Sequence, residues 1–175
     1  MRKWWFVVVA MLGIALFAVP TGASAAKAGR GECTIPGTPG NDTLIGTPDP
    51  DVICGFGGRD FIKGRGGADS IAGGSGNDTI IAGPGADVVD GGFGNDIIDG
   101  NAGADTLRGN NGDDEIRGFD GPDHLFGNAG ADCLYTVDGV HGNDHADGGI
   151  GHDRFDIDSG DHVVNVEESG NCAGD

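Results

Sequence analysis

Aspartate returns at a fixed interval along most of this chain. It stands at Asp42, Asp51, Asp60, Asp69, Asp78, Asp87, Asp96, Asp105, Asp114, Asp123 and Asp132, then, after three extra residues, at Asp144 and Asp153. Each follows a glycine-rich stretch, so carboxylate oxygens and the carbonyls of a flexible turn come together. These are hard donors of the kind that Ca²⁺ gathers six to eight at a time, whereas Mg²⁺ gives up its water reluctantly. A ladder of unpaired carboxylates would oppose folding by on the order of 1 kcal/mol per close pair in water, and a divalent cation between them reverses that sign. The thirteen aspartates are therefore the candidate metal ligands.

The spacing also dictates the elements that must hold them. From Gly37 to Asp156 the chain divides into thirteen nine-residue units, interrupted once by Thr136 to Asp138. The sixth position is always aspartate, the fourth is glycine except at Asp49, and the eighth is always apolar. Positions one to six suit a tight turn with positive φ. Positions seven to nine suit a short strand whose middle side chain points inward. Internal repetition at so short a period means a solenoid. With two units per coil, the inward file is Leu44, Ile53, Ile62, Ile71, Ile80, Val89, Ile98, Leu107, Ile116, Leu125, Leu134, Ala146 and Phe155. Eleven uninterrupted units then stack over roughly 26 Å at about 4.8 Å per coil. Odd and even turns line opposite edges, which allows at most nine ions between same-edge turns, or eleven if residues 136–138 loop out. Two turns break the pattern: GTPDPD lacks the fourth-position glycine and AGPGAD lacks the first, so fewer tight sites are expected.

The units GGSGNDTII (73–81), GGFGNDIID (91–99) and GGIGHDRFD (148–156) resemble the G-G-x-G-x-D-x-U-x nonapeptide of RTX, or haemolysin-type, calcium-binding repeats. The resemblance spans residues 37–156. It implies an all-β fold, a parallel β-roll forming a right-handed solenoid with two repeats per coil. It also implies Ca²⁺ between turns, held by the thirteen aspartates and by the carbonyls of each preceding turn. Proteins carrying such repeats often add a catalytic or pore-forming domain, and this chain has almost nothing outside the repeats, so it looks like a small stand-alone secreted type.

Composition agrees that something besides burial must supply folding free energy. Glycine is 37 of 175 residues, aromatics are 6%, and the formal net charge is −18. Residues 1–25 differ: Arg2 and Lys3, an apolar run, then Ala23, Ser24 and Ala25 read as a secretory signal peptide cleaved after Ala25. Its removal leaves no segment apolar enough to cross a membrane and predicts a secreted or envelope-associated chain. Residues 26–36 and 157–175 would then cap the roll at 37–156. In an exported chain Cys33, Cys54, Cys133 and Cys172 form disulfides, for which three pairings exist. Cys33 with Cys54 and Cys133 with Cys172 are favoured because each clamps one end.

Other chemistry finds little support. His141 and His145 have the i, i+4 spacing of a zinc helix, but they sit in a repeat turn, and the five histidines read as exposed. No G-x-S-x-G surrounds any serine and no G-K-[ST] follows the glycine turns. The acidic ladder repels phosphate and nucleic acid. Ile45, Phe61, Ile81 and Ile97 would form an apolar patch on one outer face, read first as ordinary surface and second as a partner site. The expectation is thus a non-enzymatic, secreted calcium-binding protein whose folding is coupled to the ion, with calcium as its partner and any protein or glycan partner undefined. The alternatives are an extracellular structural or adhesive module, or a non-catalytic module of a separate secreted enzyme.

Overall fold

The computed structural model describes residues 33–139, 143–165 and 168–169. The expected signal peptide, most of the expected N-terminal cap, His141 and Cys172 lie outside them. Among the described residues, no helix is long and apolar enough to cross a membrane.

Every described element is a strand. In chain order they are β1 (Ile35–Pro36), β2 (Thr43–Ile45), β3 (Val52–Cys54), β4 (Phe61–Lys63), β5 (Ser70–Ser75), β6 (Thr79–Pro84), β7 (Val88–Phe93) and β8 (Ile97–Ala102). Then come β9 (Thr106–Asn111), β10 (Glu115–Asp120), β11 (His124–Ala129), β12 (Cys133–Tyr135), β13 (His145–Ile150), β14 (Arg154–Asp156), β15 (His162–Val164) and β16 (Glu168–Ser169). Odd-numbered strands make one eight-stranded sheet in chain order, and even-numbered strands make the other. All neighbours are parallel, and up to β12 residue i pairs with i+18, as in Ile53 with Ile71 and Ile80 with Ile98, while past the interruption at residues 136–138 the offsets become 21, 17 and 14. The chain is therefore a β-solenoid with two nonapeptides per coil.

The eighth position builds the core as its periodicity demands. From Leu44 to Phe155 all thirteen such side chains are buried, most of them completely. Each stacks on its equivalent one coil away, so a thin file of branched aliphatic residues joins the two sheets. Ile35 and Val163 pack against the two ends of this file. Ile35 pairs with Ile53 and Val163 with Ala146, so the repeat register runs beyond the thirteen units at both ends. At the N-terminal end Cys33 occupies an aspartate position and bonds Cys54, closing a loop of 21 residues. Such a closure contributes about 3 kcal/mol in the loop-entropy account.

Two features differ from expectation. Strands β5 to β11 and β13 are six residues long, not three, because pairing resumes at positions two and three of the next unit. The strand bends at position two, where Phe56, Arg65, Asn101, Asn110, Phe119 and Asn128 all have positive φ. The apolar patch is also interrupted. Thr79 lies between Phe61 and Ile97 in the sheet, and Lys63 lies between Ile45 and Ile81.

Candidate metal centre

The aspartates line both edges of the roll, but they do not point into solvent. From Asp51 to Asp153 every one is buried, with exposures from 0 to 8%. The local reason is a repeated hydrogen bond: from Asp60 onward, Oδ1 of each aspartate accepts the backbone N–H of the aspartate one coil earlier, while Asp51 Oδ1 accepts the Thr34 hydroxyl. Along one edge Asp42 N–H donates to Asp60 at 2.8 Å, Asp60 to Asp78 at 2.8 Å, and so on to Asp132 and Asp153 at 3.0 Å. Along the other edge the series begins with Asp51 and Asp69 at 2.9 Å and passes through Asp123 and Asp144 at 2.7 Å. The aspartate carbonyl meanwhile accepts the N–H of the first strand residue one coil later, as Asp42 does from Phe61 at 2.9 Å. One oxygen of each carboxylate is therefore a structural fastener between coils.

The other oxygen has no such role. Oδ2 of Asp60, Asp69, Asp78, Asp87, Asp96, Asp105, Asp114, Asp123, Asp132, Asp144 and Asp153 is buried without a hydrogen-bond partner. An unpaired buried acceptor costs about 1–3 kcal/mol, and more when charged. Eleven of them would outweigh the whole margin of about 5–15 kcal/mol that holds a typical domain folded. Burial accordingly pushes up these carboxyls from Asp60 to Asp144, and at all of them except Asp105 neighbouring aspartates add to it. Asp87, Asp96, Asp114 and Asp123 rise to about 7, and Asp78, Asp132 and Asp144 to about 6. A ladder this hard to ionise is a ladder short of positive charge.

Backbone geometry supplies the remaining donors. In most units the first-position glycine sits beside its own aspartate Oδ2 and, as at Gly55, Gly73, Gly91 and Gly127, beside the first-position carbonyl of the next coil; Gly139, ahead of Asp144, is near neither. A Cβ on Gly55 would lie 2.3 Å from both Asp60 Oδ2 and the Gly73 carbonyl oxygen. On Gly73 it would lie 2.6 Å from both Asp78 Oδ2 and the Gly91 carbonyl oxygen. Glycine keeps this space open, and the two oxygens flanking it are near enough for one ion making bonds of about 2.3–2.6 Å. Among the described residues, no three His, Cys, Asp or Glu side chains converge on one point. The donor set is thus carboxylate plus carbonyl, all oxygen, which suits Ca²⁺ and does not suit zinc or copper.

Three positions depart from the common turn. At Asp42 and Asp51 Oδ2 is already taken. Thr38 gives it a backbone N–H at 2.6 Å and a hydroxyl at 2.9 Å, and Thr47 does the same for Asp51 at 2.7 and 2.9 Å. Burial alone would raise Asp51, but the Thr47 N–H and the Thr47 and Thr34 hydroxyls outweigh it and hold the carboxyl below its usual value. In the sixth unit Ala82 stands where glycine is usual and is fully buried, yet Asp87 Oδ2 remains unpartnered. The structure also adds an aspartate that the nine-residue count misses. Asp161 accepts the Asp144 N–H at 3.4 Å and the Thr136 hydroxyl at 2.8 Å, which continues one edge by a further coil. Its signal is the triplet Asp161, His162, Val163, a repeat of Asp144, His145, Ala146 at a spacing of 17 rather than 18.

A search of curated proteins found no match. The RTX calcium-binding nonapeptide repeat, a family description covering four copies, matches residues 36–71, 63–98, 72–107 and 99–134. Those segments together span more than half of the chain, and within them lie eleven of the thirteen expected aspartates, Asp42 to Asp132. With its parallel solenoid and its two ladders of buried aspartate, the chain belongs to the RTX calcium-binding nonapeptide repeat family.

Proposed function

We propose that this chain is a secreted calcium-binding protein in which the ions complete the fold. The observation that carries the reading is the row of eleven buried, unpartnered aspartate oxygens. Each would be joined to a neighbouring coil by a Ca²⁺ ion that also takes first-position carbonyls, with at most nine to eleven ions per chain. Asp42 and Asp51, closed by threonine, would contribute least. Because these oxygens converge only when the coils stack, ion affinity becomes folding free energy.

The same reading has the chain exported through a cleaved signal peptide, to where calcium is plentiful and a chain of this charge gains order on arrival. The reading gives the chain no catalysis of its own. Circular dichroism with and without excess chelator tests the coupling: the β signal should collapse on chelation and return with calcium, and an unchanged spectrum would overturn it. Sequencing the N-terminus of protein from culture supernatant tests export, with Ala26 as the expected first residue.

A further inference from the structure

Three histidines lie in one file on the outer face of the odd-numbered sheet. His124 pairs in register with His145, and His145 with His162. Their spacings are 21 and 17, so neither follows the 18-residue coil. The insertion at residues 136–138 brings His145 over His124, and a turn one residue short brings His162 over His145. Side chains that the period would not align are aligned by two departures from it.

The last two rings are stacked, with centroids 4.8 Å apart and an interplanar angle of 16°. Nδ1 of His145 and Nδ1 of His162 face each other at 2.8 Å. A neutral pair can keep that contact only in opposite tautomers, one Nδ1 donating and the other accepting. A metal ion instead takes the lone pair of both Nδ1 atoms, leaving a proton on each Nε2. Tetrahedral bonds of about 2.0–2.1 Å would hold the two nitrogens roughly 3.3 Å apart, so the rings must part by about half an ångström and turn until both in-plane lone pairs meet on the ion. Phe126 meets the His145 ring edge-on at 6.1 Å and His124 lies 5.7 Å away on the other coil, which restricts that ring. His162 is exposed and His145 is partly exposed, so solvent can reach the pair.

We propose that His145 and His162 form a second, chemically distinct metal site for a borderline divalent transition cation, with Zn²⁺ as the case to test. Imidazole nitrogen favours such ions over calcium, which keeps the two kinds of site separate. No third side-chain ligand converges there among the described residues, so water completes the coordination. The ion ties β15 to β13 and fastens the C-terminal coil to the roll.

The test is zinc titration of the full mature chain in a large excess of calcium, which keeps the aspartate edges filled, with imidazole ¹⁵N resonances observed. One saturable zinc per chain should shift the Nδ1 signals of His145 and His162, and His145→Asn should weaken uptake at least tenfold. His162→Gln, at an exposed ring, should weaken it similarly while the calcium-dependent β spectrum is retained. Absence of saturable uptake, shifts confined to other histidines, or uptake unchanged in both variants would overturn the proposal. These readouts are independent of calcium stoichiometry, so failure here leaves the aspartate ladder unaffected.

Discussion

The first two turns and the turns that follow solve the same problem with different chemistry. In Gly37 to Asp42 and Gly46 to Asp51, a threonine at position two folds back and gives its N–H and hydroxyl to Oδ2 of the turn's own aspartate. From Gly55 onward position two has positive φ in the turns opened by Phe56, Arg65, Gly74, Gly83, Gly92, Asn101, Asn110, Phe119 and Asn128. Those residues turn away, and the corresponding Oδ2 atoms are left bare. One end of the roll is closed by the protein itself and by a disulfide, while the later turns keep a carboxylate oxygen without a protein partner. The contrast separates aspartates whose Oδ2 the protein itself satisfies from aspartates whose Oδ2 it leaves without a partner.

Mutation should separate the two regions most strongly at the aspartates themselves. Asp96→Ala removes the acceptor for the Asp78 N–H and an unpartnered Oδ2 together. Calcium-loaded protein should lose about 3 kcal/mol or more in denaturant unfolding, with fewer ions bound. Asp51→Ala should leave the ion count unchanged. Equal loss of ions in both variants would dissolve the distinction between the two regions.

Acid should act on the two regions in opposite directions. Asp87, Asp96, Asp114 and Asp123 rise to about 7 on burial, above an unfolded value near 3.9. The folded chain therefore holds protons that the unfolded chain has released between about pH 4 and pH 7, and calcium-free stability should rise as pH falls from 8 to 5. Asp51 is held low, so its contribution is present above the ordinary carboxyl value and is lost only as pH falls through its lowered one. Calcium-free circular dichroism across this range should show β-structure gained on mild acidification. Protons compete for the same oxygens, so calcium affinity should fall over the same interval.

These distinctions show how far the sequence could be read. Positions six and eight were legible because a nine-residue period fixes which side chains face inward, and the core from Leu44 to Phe155 follows directly. The closure by Thr38 and Thr47 was not, since threonine in a turn says nothing of where its hydroxyl points. The approach of Oδ1 to the previous coil's N–H depends on stacking and has no local signature. Asp161 was hidden by a single missing residue, and Ile35 by the replacement of its unit's aspartate with Cys33. The positive φ at Phe56, Arg65 and Phe119 was unreadable because nothing about those residue types announces it.

Smaller effects sharpen the same comparison. Thr47→Val keeps the backbone N–H to Asp51 but deletes the 2.9 Å hydroxyl bond, and should lower the stability of calcium-loaded protein by about 1.5–3 kcal/mol in denaturant unfolding. Excess calcium should not restore that loss unless the freed oxygen becomes a new ion site. In the later turns Phe119 has φ of 68° and is substantially exposed. Phe119→Asn should relieve backbone strain and raise stability by about 1 kcal/mol, seen as a higher melting temperature with ion binding unaltered.

The central claim is that the bare aspartate oxygens are calcium ligands and that filling them folds the roll. Its most direct test is a calorimetric calcium titration of the chain from residue 26 onward, disulfides intact and starting from chelated protein, with circular dichroism followed in parallel. The account predicts uptake of several ions per chain in a cooperative transition that coincides with the gain of β-structure. A chain that takes up no calcium, or that shows its full β signal before any ion is added, would contradict it.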